Sequence, residues 1–97
     1  MDLKVKWTPK ALDSYHSILK YLNTSWSEKE VKNFVNRTDS VVNIITVQPY
    51  LYKAAKTNTI RAAFVTKHNM LFYRIFKNKV VLLEFWDTRQ NPMKRNF

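Results

Sequence analysis

The sequence predicts an α+β fold: a short N-terminal strand, an antiparallel two-helix hairpin, and a C-terminal three-stranded antiparallel sheet on which the hairpin packs. Three observations predict it. Apolar residues recur at helical spacing between residues 11 and 22 and again between 31 and 45. Later runs at 60–66, 70–76 and 80–86 are rich in β-branched and aromatic residues and are separated by polar breaks. With 97 residues, 45% hydrophobic and 14% aromatic, the chain holds enough apolar material for one core, so residues 1–97 are read as one domain.

Residues 3–7, LKVKW, alternate apolar and basic side chains and form the first strand. Thr8 is placed to cap the next helix, with Pro9 at its first position, where the missing N–H is not needed. Ala11, Leu12, Tyr15, Ile18, Leu19 and Leu22 make its apolar stripe, over residues 9–23. Ser27 followed by Glu30 is a capping box, in which the serine accepts from the Glu30 amide and the carboxylate reaches back. Val31, Phe34, Val35, Thr38, Val41, Val42 and Ile45 form the second stripe. The segment VVNIITV at 41–47 is β-branched, yet it continues the 3.6 period and is assigned to this helix, which Pro49 stops. Residues 50–59 are a basic loop carrying Lys53 and Lys56.

Residues 60–66 begin the sheet. Lys67-His68-Asn69 is a turn, with Asn69 suited to a left-handed conformation. The next turn is Lys77-Asn78-Lys79. A three-residue loop there sets Ile75 opposite Val81, Tyr73 opposite Leu83 and Leu71 opposite Phe85, three apolar pairs on one face for the helices to cover. A two-residue loop would set Tyr73 opposite Leu82 but Leu71 opposite Glu84, and is rejected for that. The other face then carries Phe72, Arg74, Phe76, Leu82, Glu84 and Trp86, and needs a partner or cover from loop and tail.

Composition narrows the chemistry. Without glycine there is no P-loop and no dinucleotide fingerprint, and without cysteine there are no disulfides or thiolate metal sites. No apolar run nears the ~20 residues of a membrane span and no signal-peptide core is visible, so the expected location is the cytoplasm, with no membrane partner. Net charge is +10 and lopsided: residues 49–97 hold ten Lys or Arg against Glu84 and Asp87 alone. That excess draws polyanions, whether nucleic acid or an acidic protein segment.

The candidate binding residues are Lys53, Lys56, Arg61, Lys67, Arg74, Trp86, Arg89 and Gln90. Arg74 on the mixed face can pair with Glu84 across the strands or hold a phosphate. Arg61 and Arg89 lack a neighbouring acid except Asp87 and are read as anion-binding. Phe72, Tyr73 and Trp86 can stack bases or fill the core. His16 falls off the helical stripe; His68, in a basic turn, is the one candidate acid–base group near neutral pH. Two separated histidines and few carboxylates give no metal cluster, and no cofactor is expected. Any catalysis must therefore rest on Arg61, Arg74, Arg89 and His68, with cations stabilising a pentavalent phosphate.

W-T-P-K-A at 7–11, the Tyr15/Leu19/Leu22 helix, Pro49, I-R at 60–61, L-F-Y-R-I at 71–75 and F-W-D-T-R-Q-N-P at 85–92 together resemble the RelE/ParE superfamily of type II toxins, which includes plasmid stabilisation toxins. The resemblance spans nearly the whole chain. It implies an intracellular toxin neutralised by an acidic antitoxin that wraps the basic face. ParE-like members poison DNA gyrase without catalysis; RelE-like members cleave mRNA on the ribosome. Met70 stands where RelE-like nucleases often place an arginine, and Phe97 lacks the hydroxyl of a C-terminal tyrosine. The expected function is thus gyrase inhibition, with ribosome-dependent mRNA cleavage as the alternative and a stand-alone RNA-binding module behind both.

Overall fold

The computed structural model describes residues 3–52 and 59–90. Its elements are β1 (Lys4–Trp7), α1 (Pro9–Ser25), α2 (Glu28–Val47), β2 (Arg61–Phe64), β3 (Asn69–Phe76) and β4 (Lys79–Asp87). Both helix caps follow the sequence: Thr8 Oγ1 accepts from the Ala11 amide and Ser27 Oγ from the Glu30 amide. The β-branched stretch at 41–47 is helical to Val47. The Glu30 carboxylate does not simply close its capping box; it crosses to Arg89. No helix among the described residues is long and apolar enough to cross a membrane.

The sheet has four strands in the order β1-β4-β3-β2, with β1 parallel to β4. The expected three-stranded antiparallel sheet with a separate N-terminal strand is therefore corrected to a mixed sheet. The helical hairpin returns the chain to the sheet, and β1 supplies the backbone partners that β4 would otherwise lack. Leu3 and Val5 pack against the helix-covered core, while Lys4 and Lys6 are exposed.

The β3–β4 hairpin joins both candidate registers. Phe76 pairs with Lys79, so the turn is the two residues Lys77-Asn78, both left-handed at φ 47° and 63°. That is the backbone of a type I′ turn, whose twist suits a hairpin. Asn78 tolerates this conformation, and Asn69, expected to be left-handed, lies in β3 instead. Tyr73 pairs with Leu82 and Ile75 with Val80, as a two-residue turn dictates. Beyond Tyr73 the register shifts by one residue at Leu83, and Leu71 meets Phe85. This β-bulge lets Leu82 and Phe85, three residues apart, both face the helices. Val80 and Leu82 are thus the core residues, not Val81 and Leu83, which line the opposite face.

Phe85 is the hub of the core. Its ring lies 5.4 Å from Trp7, 5.2 Å from Tyr15 and 6.1 Å from Phe34, distances at which aromatic pairs attract. Ile18, Leu22, Val41, Ile45, Ala63, Val65, Leu71 and Tyr73 complete the buried cluster. Leu12, assigned to the helical stripe, is 44% exposed, because α1 buries a narrower face than six positions.

The bulge is held from the side where β1 has ended. Thr8 donates its amide and its hydroxyl to the Leu82 carbonyl, and Ser14 Oγ accepts from the Phe85 amide at 2.9 Å. Ser14→Ala would orphan that amide, at a cost of about 1–3 kcal/mol. Chemical denaturation of Ser14→Ala against the exposed control Ser17→Ala, expected within about 0.5 kcal/mol of wild type, checks this.

Candidate functional site

The end of β4 carries the densest polar network. Asp87 is buried, and one carboxylate oxygen accepts from Asn69 Nδ2 at 2.9 Å. The other accepts from the amides of Arg89 and Gln90 at 2.8 and 3.3 Å, folding the chain into an Asx turn. Asn69 Oδ1 in turn accepts from the Thr66 hydroxyl, and Thr66 Oγ1 from the His68 amide. Thr88 donates both its amide and its hydroxyl to the His68 carbonyl. One carboxylate thereby ties the β2–β3 turn to the exit of β4.

Arg89 closes the network. Its Nε lies 3.6 Å from Asp87 Oδ1, its Nη1 lies 3.3 Å from Glu30 Oε1, and its guanidinium stacks 4.6 Å from the Trp26 ring. Only 13% of the side chain is exposed. Two carboxylates and an aromatic face surround the guanidinium and offset its charge, with the bond from Nη1 to Glu30 as its hydrogen bond among the described residues. Trp26 itself donates from Nε1 to the Tyr21 hydroxyl at 3.1 Å.

The other candidates separate. Arg61 donates from Nη1 to the Tyr52 carbonyl at 2.8 Å and stacks 4.8 Å from the Tyr50 ring, so it anchors the segment after α2. Arg74 lies opposite Val81, over the Phe76 ring at 5.1 Å. Its expected partner Glu84 lies opposite Phe72 and pairs with Lys10 at 3.5 Å, because the bulge shifts the register between them. Trp86 lies opposite Met70, on the face away from the helices and about 13 Å along β3 from Arg74. Lys67 and Gln90 are exposed and His68 is half-buried. Lys53 and Lys56 lie outside the described residues. The fold thus gathers Arg89, Gln90 and the His68 main chain at one end, and leaves Arg61 and Arg74 elsewhere.

Two phenols are held away from neutral chemistry. Burial, then the Asp39 carboxylate, pushes the Tyr15 hydroxyl up. Tyr73 donates to the Pro49 carbonyl at 2.8 Å and is pushed up to about 12 by burial, with Arg61 pulling part of the way back and Tyr52 adding to the rise. Among the described residues no three His, Cys, Asp or Glu side chains converge on a metal position. Glu30, Trp26 and Asn69 escaped the sequence reading. Glu30 looked committed to its own helix, and only the pairing of Asn69 with Asp87 reveals why an asparagine stands there.

A family model described as the ParE toxin of the type II toxin-antitoxin system, parDE, matches residues 5–92. The chain belongs to that family. Solved structures share its fold. The chromosomal ParDE system from P. aeruginosa superposes with a TM-score of 0.71 at 17% identity, over 88% of this chain and 95% of that one. The YoeB/ParE toxin from Agrobacterium tumefaciens gives 0.66 at 13% identity, over 88% and 98%. The YoeB-YefM complex from Staphylococcus aureus gives 0.63 at 16% identity, over 89% and 97%. No curated protein sequence matches the chain.

Asp87→Ala would leave Asn69 Nδ2 and the Arg89 and Gln90 amides without their shared acceptor and remove the carboxylate 3.6 Å from Arg89 Nε; the expected loss is about 3–5 kcal/mol, read by urea denaturation. Tyr73 gives a pH signature. An ordinary tyrosine ionises near 10, so above that pH the unfolded chain releases a proton that the folded chain keeps until about 12. Its contribution is complete below pH 10 and falls as pH rises to 12. Against Tyr73→Phe, the wild type should lead by about 1 kcal/mol at neutral pH, and that lead should shrink between pH 10 and 12. Parallel denaturation of the two proteins across that range measures it.

Proposed function

We propose that this ParE-family toxin arrests growth by binding DNA gyrase without catalysing a reaction, and that an acidic antitoxin neutralises it in the cytoplasm. The observation that carries the reading is the state of Arg89. The arginine at the end of β4 is 13% exposed, paired with Glu30 and Asp87 and stacked on Trp26. A cation serving phosphoryl transfer has to meet developing charge on the substrate, which a guanidinium committed to two carboxylates does not do. Arg61 gives one donor to the Tyr52 carbonyl and stacks on Tyr50, and Tyr73 keeps its proton through the physiological range. What remains available is charge and shape, the means of a binder.

An antitoxin partner fits the surplus of base over acid in residues 49–97 and the toxin–antitoxin assemblies in which this fold occurs, such as YoeB-YefM. Induced expression should stop growth, and the purified, folded protein should inhibit gyrase supercoiling while leaving mRNA intact in programmed ribosomes. Cleaved mRNA with untouched supercoiling would replace this reading with ribosome-dependent cleavage.

A further inference from the structure

At the end of the sheet opposite Asp87, the face away from the helices holds a groove of about 480 Å³ lined by Lys6, Thr8, Arg74, Phe76, Lys79, Val81 and Leu83. Its floor is aliphatic: Val81 and Leu83 are turned out of the core by the hairpin register and the bulge. Its rim is cationic. Residues 3–10 and 73–83, which build this end, contain six Lys or Arg and no Asp or Glu; Lys10 among them pairs with Glu84 at 3.5 Å. Lys4, Lys6, Lys77 and Lys79 are all exposed.

We propose that this groove receives an apolar side chain of an acidic partner segment, with carboxylates on either side of that side chain meeting Lys6, Arg74 and Lys79. The inference rests on the antitoxin reading for the identity of the partner, and names where and how that partner is gripped. Charge complementarity calls for an anion, and the lining decides which kind. Stacked or base-selective binding of a nucleic acid needs a free aromatic face or base-edge donors and acceptors, and phosphate contacts alone would leave the aliphatic floor unused. The groove's one ring, Phe76, already has Arg74 at 5.1 Å and Lys77 at 5.4 Å. Its one hydroxyl, on Thr8, is spent on the Leu82 and Leu83 carbonyls and the Ala11 amide. What is left is an aliphatic floor under three cations, complementary to a leucine, isoleucine or valine between Asp or Glu residues. The buried apolar contact fixes register, while the rim charges steer the approach and weaken with salt.

The test titrates the folded, full-length protein by fluorescence anisotropy into three labelled probes: a short Asp/Glu-rich peptide with a central leucine, the same peptide with serine at the centre, and a single-stranded RNA of equal charge. The leucine peptide should bind about tenfold tighter than either of the others. The double substitution Lys6→Glu/Lys79→Glu, at exposed positions, should cost at least about tenfold, whereas the control Lys20→Glu/Lys29→Glu, also at exposed positions, stays within about twofold. Leu83→Ser should remove the leucine preference but keep the serine peptide's affinity; should it unfold, Val81→Ser reads the same floor. Equal binding of the two peptides, tighter binding of RNA, or equal losses in both double variants overturns the proposal. A protein that prefers the leucine peptide with this dependence on Lys6 and Lys79, yet leaves gyrase untouched, supports the groove and removes only the gyrase reading.

Discussion

The one-residue bulge at Leu83 is the constraint on which both faces of the sheet depend. Below it, the Lys77-Asn78 turn fixes a register that puts Val80 and Leu82 into the core. Continued unbroken, that register would turn Phe85 outward and Glu84 inward. Phe85 meets Trp7, Tyr15 and Phe34, so losing it would dissolve the aromatic centre that joins β1, α1, α2 and β4. The bulge avoids that loss, and the amide and carbonyls it disturbs are satisfied by Ser14 and Thr8 at the start of α1. The helix cap and the strand irregularity are thus one device: Thr8 caps α1 and stitches β4 with the same hydroxyl.

The same bulge aligns Asn69 with Asp87. Because that pair is buried, its carboxylate must be filled, and Arg89, Gln90 and Asn69 fill it. The consequence for function is direct. Arg89 is held by groups drawn from three parts of the chain, Asp87 on β4, Glu30 on α2 and Trp26 at the elbow between the helices. An arginine so placed orders the end of the sheet and has little left for a substrate. At the opposite end of the sheet, Lys6, Arg74 and Lys79 line a groove with aliphatic residues.

Much of this was legible in the sequence, and the failures have physical causes. The helices, their caps and the succession of strands along the chain came from periodicity and capping chemistry, which are local. The chosen three-residue register holds only beyond the bulge, where Leu71 meets Phe85; nearer the turn the rejected two-residue register holds, because a bulge adds a residue without changing composition. The parallel pairing of β1 with β4 spans more than 70 residues and has no local signature. Among the candidate residues, Arg74 and Glu84 were paired by an alternation that the bulge breaks, and Arg89 was read as open because Glu30, 59 positions away, was already explained as a cap residue. Glu30 does serve α2's first turn; its carboxylate also serves Arg89. A residue with a sufficient local explanation is the hardest to recognise in a second, distant role.

Charge gives the two ends of the sheet different relations to a partner. At the Asp87 end, acid and base are already matched within the chain, so an approaching anion gains little there and would have to displace Glu30. At the groove end, Lys6, Arg74 and Lys79 line one surface on a chain of net charge +10, so the local potential favours an anion. An acidic segment seated there as proposed would bury Val81 and Leu83, and a partner that binds only the folded chain raises its stability. The groove's unbalanced charge therefore links partner recognition to the persistence of the folded toxin.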